Sequence, residues 1–294
     1  MTKPESAPVI TPEMIAAFQR DGVLVVRNAV SQDWVRRMIE ITNQQMDSPG
    51  QWVNDQPEDD SKGRLFTDRY LWPVNPQIKA FAMDSGVAAI AGQLMESQYC
   101  RLYFDHLLVK EPGTSARTPW HQDVPYWPFG GKKIASSWVA LSDVSVAESA
   151  MEFVRGSHSD GTYYAPAVFG DPAKSASTGW QTQSESEPVP DIEANRQDFD
   201  IVGWDMKAGD AVFFSAWLLH GACGNASPDK RRMAISIRWL GDDAIWSPHP
   251  GSDPTVTQAD VNVEPGALAS DDTRFPVAWK AASEPTNQPI ETNL

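Results

Sequence analysis

The stretch "QYCRLYFDHLLVKE", residues 98–111, decides the fold. It is rich in aromatic and aliphatic residues and free of Gly and Pro, so it reads as a strand. Four segments of the same texture follow: "KKIASSWVALSDV" (132–144), "MEFVRG" (151–156), "DAVFFSAWLLHG" (210–221) and "RRMAISIRWLG" (231–241). Gly, Pro and Asp turns separate them. Upstream the pattern is helical. "TPEMIAAFQRDG" (11–22) carries Thr11 as N-cap, Pro12 at the first helical position and Gly22 just past the end. "VLVVRN" (23–28) reads as a strand. "SQDWVRRMIEITNQQMD" (31–47) is a second helix, capped by Ser31, with Trp34, Met38 and Ile41 at helical spacing. Residues 47–70 read mostly as loop, and "DSGVAAIAGQLMES" (84–97) as a third short helix.

The expected fold is therefore mainly β with a helical N-terminal layer, around a double-stranded β-helix (a jelly-roll, cupin-like core). A single domain is expected over residues 1–294. It divides into an N-terminal layer (11–98), a core (99–245) and a C-terminal extension (246–280), with loose tails at 1–10 and 281–294. Residues 159–205, rich in Pro, Gly, Ser and acids, interrupt the core and read as a lid insertion.

Composition limits the partners. A net charge of −15 argues against nucleic acid, whose phosphates need clustered Lys and Arg. Two distant cysteines, Cys100 and Cys223, give no disulfide framework. No run of about 18 apolar residues offers a membrane span. The opening "MTKPESAPVI" lacks a basic-then-apolar leader, so a cytoplasmic location is expected. No heptad pattern points to a coiled coil, and the oligomeric state is not legible.

Chemistry concentrates at "TPWHQDVPYWPFGG" (118–131). On an extended strand His121 and Asp123 share a face and can converge on one ion, although most His-x-Asp pairs bind nothing. His220 closes an apolar strand and is followed by Gly221. Two His and one carboxylate cover one face of an octahedral ion, the arrangement of non-haem Fe(II) oxygenases. Arg232, alternating with Ala234 and Ser236, could anchor the distal carboxylate of 2-oxoglutarate, with Arg231 turned the other way. The plainer alternatives are a hydrogen-bonded core histidine and solvated strand-edge arginines.

The ordered set "WHQDVPYWPF", "SSWVALSDV", "MEFVRGSH", "GDAVFFSAWLLHG" and "RMAIS" resembles the phytanoyl-CoA dioxygenase (PhyH) family of Fe(II)/2-oxoglutarate oxygenases. "FQRDGVLVVRNAVS" and "TRFPVAW" extend the likeness from about residue 12 to about 279. The resemblance implies His121, Asp123 and His220 as iron ligands, Arg232 as the 2-oxoglutarate anchor and Trp138 as a wall of that pocket. It implies Fe(II), 2-oxoglutarate and O2 as the reacting set, with succinate and CO2 released as a substrate C–H bond is oxidised. His158 matches a recurrent turn of the family rather than a ligand. Arg155, Glu152 and Ala222 depart from the family's usual residues; the last replaces a Ser that helps hold 2-oxoglutarate. Asp123 stands where related halogenases leave room for chloride, which disfavours halogenation.

The substrate is expected to be a small molecule. Trp120, Tyr126, Trp127, Phe129 and Trp246 are candidate contacts, and an aromatic mouth suits an apolar body. The insertion carries nine Asp or Glu against Lys174 and Arg196, which would repel a CoA ester and favours a neutral or cationic molecule. Other readings are a non-catalytic cupin-like metal-binding protein, a CoA-ester hydroxylase like the family namesake, and a zinc hydrolase.

Overall fold

Both N-terminal helices form where their capping residues place them. In the structure, a computed structural model that describes residues 8–57, 63–166 and 186–282, α1 is Pro12–Asp21 and α2 is Gln32–Asp47. Thr11 Oγ1 accepts from the Met14 amide and Ser31 Oγ from the Trp34 amide, both at 3.4 Å. Gly22 ends α1 at φ +74°, a conformation costly for other residues. A Cβ there would also lie 2.5 Å from Nδ1 of His158. The "RGSH" turn thus seats itself on the end of α1, which accounts for His158 without any ligand role.

The remaining elements, in chain order, are β1 (Val23–Val26), β2 (Asn54–Pro57), β3 (Arg64–Arg69), α3 (Pro76–Asp84), α4 (Val87–Leu94), β4 (Tyr99–Lys110), β5 (Thr118–His121) and β6 (Phe129–Gly130). Then come β7 (Ile134–Ala140), β8 (Met151–Val154), β9 (Ile201–Gly203), β10 (Ala211–Ser215), β11 (His220–Ala222), β12 (Arg232–Leu240), β13 (Ile245–Trp246) and β14 (Val277–Lys280). Among the described residues, the large antiparallel sheet runs β1-β10-β7-β12-β4-β3-β2, with β14 paired to β4. A second sheet runs β5-β11-β8-β9, and β13 pairs with β6. The N-terminal segment therefore adds β1, β2 and β3 to the large sheet of this jelly roll, and the C-terminal segment adds β14.

Alternation on the large sheet sorts its residues between two environments. Phe66, Leu107, Val109, Met233, Ile235, Ile237 and Trp239 pack outward into the cluster formed with the helices. The intervening residues Thr67, Arg69, His106, Lys110, Arg232 and Arg238 turn inward and line a cavity. Their polarity explains why residues 47–70 read as loop. The inward face of β3 is Leu65, Thr67 and Arg69, so the strand lacks the apolar alternation that marks a half-buried strand.

One element was not foreseen and one expectation changes. Pro76–Asp84 is a helix of its own, capped by Asn75, whose side chain accepts from the Gln77 and Ile78 amides. The apolar run 210–221 is two strands rather than one. β10 ends at Ser215, the chain turns, and His220 opens β11 in the second sheet. Of the expected lid, residues 167–185 lie outside the described residues, as do 1–7 and 283–294 of the tails. No described helix is long and apolar enough to cross a membrane.

Candidate active site

His121 ends β5, and its Cα partner across the ladder is His220, the first residue of β11. This register brings the imidazole centroids to 4.2 Å. Asp123 arrives by a different route from the one expected. It is not on the extended strand: the backbone has turned to φ −78°, ψ −36°, at the start of a 3-10 turn over Val124–Tyr126. The amides of Asp123 and Val124 both donate to the Ala216 carbonyl, at 2.9 and 3.1 Å, and fix that turn. Asp123 Oδ1 then lies 3.7 Å from Nε2 of His121 and 3.9 Å from Nε2 of His220. One ligand atom from each residue falls within 4.8 Å of the other two, and all three residues are buried.

The hydrogen bonds behind these atoms set their protonation. Nδ1 of His121 donates to the Pro119 carbonyl at 2.8 Å, and Nδ1 of His220 to that of Leu218 at 2.9 Å. Each ring therefore turns an Nε2 lone pair toward Asp123. Burial, reinforced by the neighbouring His121, pulls the His220 pKa down to about 3, so this ring is neutral. Burial pushes the Asp123 carboxyl upward, but the Arg238 charge leads the opposing influences, and the carboxyl is held well below the usual range. Ser136 Oγ donates to Oδ2 at 2.7 Å, leaving Oδ1 toward the centre. Two imidazoles and one carboxylate fit a divalent iron.

A second group sits farther along the same cavity. Arg232, 4 % exposed, lies over the Trp138 ring at 5.5 Å and donates through Nε to Ser149 Oγ at 3.4 Å. Its Nη1 is buried without a hydrogen-bond partner among the described residues, as is Ser236 Oγ. Directly opposite on β4 is Lys110, 1 % exposed, donating through Nζ to the Cys223 carbonyl at 2.6 Å. Burial, aided by Arg232, lowers the Lys110 pKa to about 6, and burial lowers that of Arg232 to about 10. Ala222 lines this end of the cavity, with Ser149 nearby as the hydroxyl on Arg232. A compact dianion would satisfy what these side chains leave open.

The cavity, about 770 Å³, has room for a co-substrate and a small substrate together. Of the expected substrate contacts, Tyr126 and Trp127 line it. Trp120, Phe129 and Trp246 are not on its wall. Trp120 neighbours His121 on β5 and so faces the opposite way, donating through Nε1 to Glu193 at 2.9 Å. Phe129 packs into an apolar cluster, with ring centroids 4.7 Å from Tyr103 and 5.5 Å from Trp246. Lys110, Ser136, Ser149 and Arg238 were missed. Arg238 follows Arg232 by six residues and so shares its strand face, a signal present in the sequence, whereas Lys110 is identified only by its ladder pairing with Arg232.

A protein-family model described as "Phytanoyl-CoA dioxygenase (PhyH)" matches residues 18–233. A Caenorhabditis elegans protein named "Probable phytanoyl-CoA dioxygenase" is 24% identical over 253 residues, 80% of this chain and 77% of that protein. Among solved structures, the non-heme alpha ketoglutarate dependent carbocyclase SnoK of nogalamycin biosynthesis superposes with a TM-score of 0.70 at 20% identity, covering 94% of this chain and 99% of that one. The epimerase SnoN, in complex with Fe3+, alpha ketoglutarate and nogalamycin RO, gives 0.69 at 23% identity, covering 91% and 98%. At these identities the two structures establish a common fold.

Proposed function

The chain belongs to the phytanoyl-CoA dioxygenase family and is an iron- and 2-oxoglutarate-dependent oxidoreductase; from that premise we propose which residues do the work and on what kind of molecule. His121, Asp123 and His220 hold Fe(II). Arg232 and Lys110 hold the distal carboxylate of 2-oxoglutarate, with Trp138 as the wall beside it. The observation that carries this assignment is one cavity containing both the buried His–Asp–His set and a buried, incompletely hydrogen-bonded cation pair.

With O2, iron and 2-oxoglutarate would supply the oxidising power for a substrate C–H bond, releasing succinate and CO2. The chain's own residues do the rest. Pro119 and Leu218 carbonyls fix the imidazole tautomers, Ser136 orients the Asp123 carboxylate, and Ser149 steadies the Arg232 guanidinium. Tyr126, Trp127 and Phe104 give the substrate region apolar walls that exclude water. We take residues 11–280 as one domain, a reading supported by strands from both ends joining the large sheet that carries Lys110 and Arg232.

The substrate is a small molecule without a CoA group. The described part of the 159–205 insertion is acidic, and its one arginine, Arg196, is engaged by Glu152 at 2.5 Å. This acidity opposes a nucleotide's phosphates, and Arg117, the exposed arginine on the cavity wall, lies 3.8 Å from Glu193 of the same insertion. The outcome at the C–H bond, hydroxylation or another oxidation, follows from the substrate's geometry. The test is anaerobic addition of Fe(II) and 2-oxoglutarate to the protein and to Arg232→Ala. A visible charge-transfer band in the parent, lost in the variant, supports the assignment. Bound iron without a band would favour a metal-binding barrel, and O2-independent turnover with Zn(II) a hydrolase.

A further inference from the structure

We propose that Arg238 anchors a carboxylate of the substrate, which makes that substrate a small organic acid whose body lies against Phe104, Tyr126 and Trp127. This deepens the oxygenase reading and rests on it.

Arg232 and Arg238 both turn into the cavity from β12. Six residues of strand separate their backbones by about 20 Å. A five-carbon diacid held at Arg232 and Lys110 does not span that distance, so the hydrogen-bonding capacity of Arg238 is left open by the co-substrate. The side chain is 8 % exposed, and its Nε and Nη1 are buried without a hydrogen-bond partner among the described residues. Leaving a buried guanidinium in this state is expensive.

The neighbouring acids are committed elsewhere. Asp105 accepts from the amides of Leu71 and Trp72, at 3.0 and 2.7 Å. Asp253 lies 3.2 Å from Arg69 and accepts from the Thr255 amide at 2.9 Å. Asp123 takes the Ser136 hydroxyl and belongs to the metal set. The other polar groups in this half of the cavity are Arg69 and His106, and His106 Nε2 is likewise buried without a partner among the described residues. Arg69 and Arg238 bring two positive charges here, offset by Asp123 and Asp253, yet neither carboxylate hydrogen-bonds the buried Arg238 Nε or Nη1 among the described residues.

Phe104 and Trp127 stack on the guanidinium at 5.0 and 5.8 Å. Stacking occupies its faces and leaves N–H edges for an acceptor, and a carboxylate is the organic group that best matches charge and hydrogen bonding together. The aromatic walls then suit an apolar remainder. The acidic insertion had suggested a neutral or cationic ligand. The cavity interior carries the opposite sign, and the interior is what the bound molecule touches.

The experiment uses protein loaded anaerobically with Fe(II) and 2-oxoglutarate, with 3-phenylpropionate and its uncharged amide as probes. Binding is read by tryptophan fluorescence, and the charge-transfer band is recorded alongside. The acid is expected to bind the parent at least 10-fold more tightly than the amide. Arg238→Gln should erase that preference while leaving the amide's affinity and the band unchanged. Equal affinities in the parent overturn the proposal. So does a preference that survives in the variant, or chloride competing as well as the acid does, which would mark an inorganic anion site. Loss of the band in Arg238→Gln overturns it too, because Arg238 would then serve the co-substrate. If that variant does not fold, the acid–amide contrast in the parent decides. A parent without any band would count against the oxygenase reading, while the fluorescence contrast would still judge Arg238.

Discussion

Arg232 and Lys110 are direct cross-strand partners, paired Cα to Cα in the β12–β4 ladder, and both side chains enter the cavity. Like charges in this position repel, and burial removes the water that would screen them. Such a pair is stable when an anion lies between the two groups. Arg232→Ala is therefore expected to weaken 2-oxoglutarate binding about 10- to 100-fold, the range for losing charged hydrogen bonds. Lys110→Met should weaken it by less, since the amine is a point charge without a fork. Anaerobic calorimetric titration of 2-oxoglutarate into the Fe(II) protein checks both. Unchanged affinity in Arg232→Ala would remove the co-substrate from this end of the cavity.

The same lysine predicts a pH dependence of stability. Its pKa falls from 10.5 to about 6 on folding, chiefly through burial. Between those values the unfolded chain binds the extra proton, so this group's contribution to stability rises with pH, by up to about 1.4 kcal/mol per unit. Below about pH 6 its burial penalty is felt in full. Lys110→Met abolishes the titration. Without 2-oxoglutarate the variant should exceed the parent in stability at pH 6.5, and the gap should narrow toward pH 9. Urea midpoints of both proteins at the two pH values measure it; a gap independent of pH would show that Lys110 does not titrate in this window.

Ser136 illustrates how an outer hydrogen bond would serve the proposed ligand Asp123. Its hydroxyl holds Asp123 Oδ2 at 2.7 Å, and both residues are buried. Removing such a partner typically costs 10- to 100-fold in metal affinity. Ser136→Ala should accordingly bind Fe(II) about that much more weakly while keeping its melting temperature within a few degrees. Competition with a chelator of known affinity gives the number. Undiminished iron binding would mean that the turn at Asp123 alone orients the carboxylate.

The strand-rich core was legible in the sequence, as was the choice of His121, Asp123, His220 and Arg232 as candidates that the structure gathers in one cavity, because each rests on local signals: strand texture, a His-x-Asp spacing, an Arg at a strand start. What it hid depends on packing across strands. β3 has a polar inward face because it lines a cavity, so it lacked the alternation of a half-buried strand. Asp123 reaches the metal set by a turn pinned on Ala216, a contact 93 residues away in the chain. Lys110 and Arg238 look like ordinary strand charges until the ladder places them opposite Arg232 and beside Trp127. Trp120, Phe129 and Trp246 show the reverse error, since aromatic identity near a ligand says nothing about which face a residue occupies.

Glu152, out of place beside its relatives, has a structural reason and a test. It lies on β8 next to Phe153, the Cα partner of His220, and accepts from Arg196 at 2.5 Å. Arg196 also reaches Glu193 at 3.4 Å, and Glu193 accepts from Trp120 Nε1 at 2.9 Å. These bonds tie the 191–198 segment across the backs of the two strands that carry His121 and His220. Arg196 is 40% exposed, so the pair contributes little to global stability, under about 1 kcal/mol. Its effect should be local. Glu152→Ala is expected to leave the melting temperature nearly unchanged while raising amide hydrogen exchange across residues 191–203. Exchange as slow as in the parent would show that the apolar contacts of Ile192 with Trp120, Val154 and Leu219 hold the segment without the ion pair.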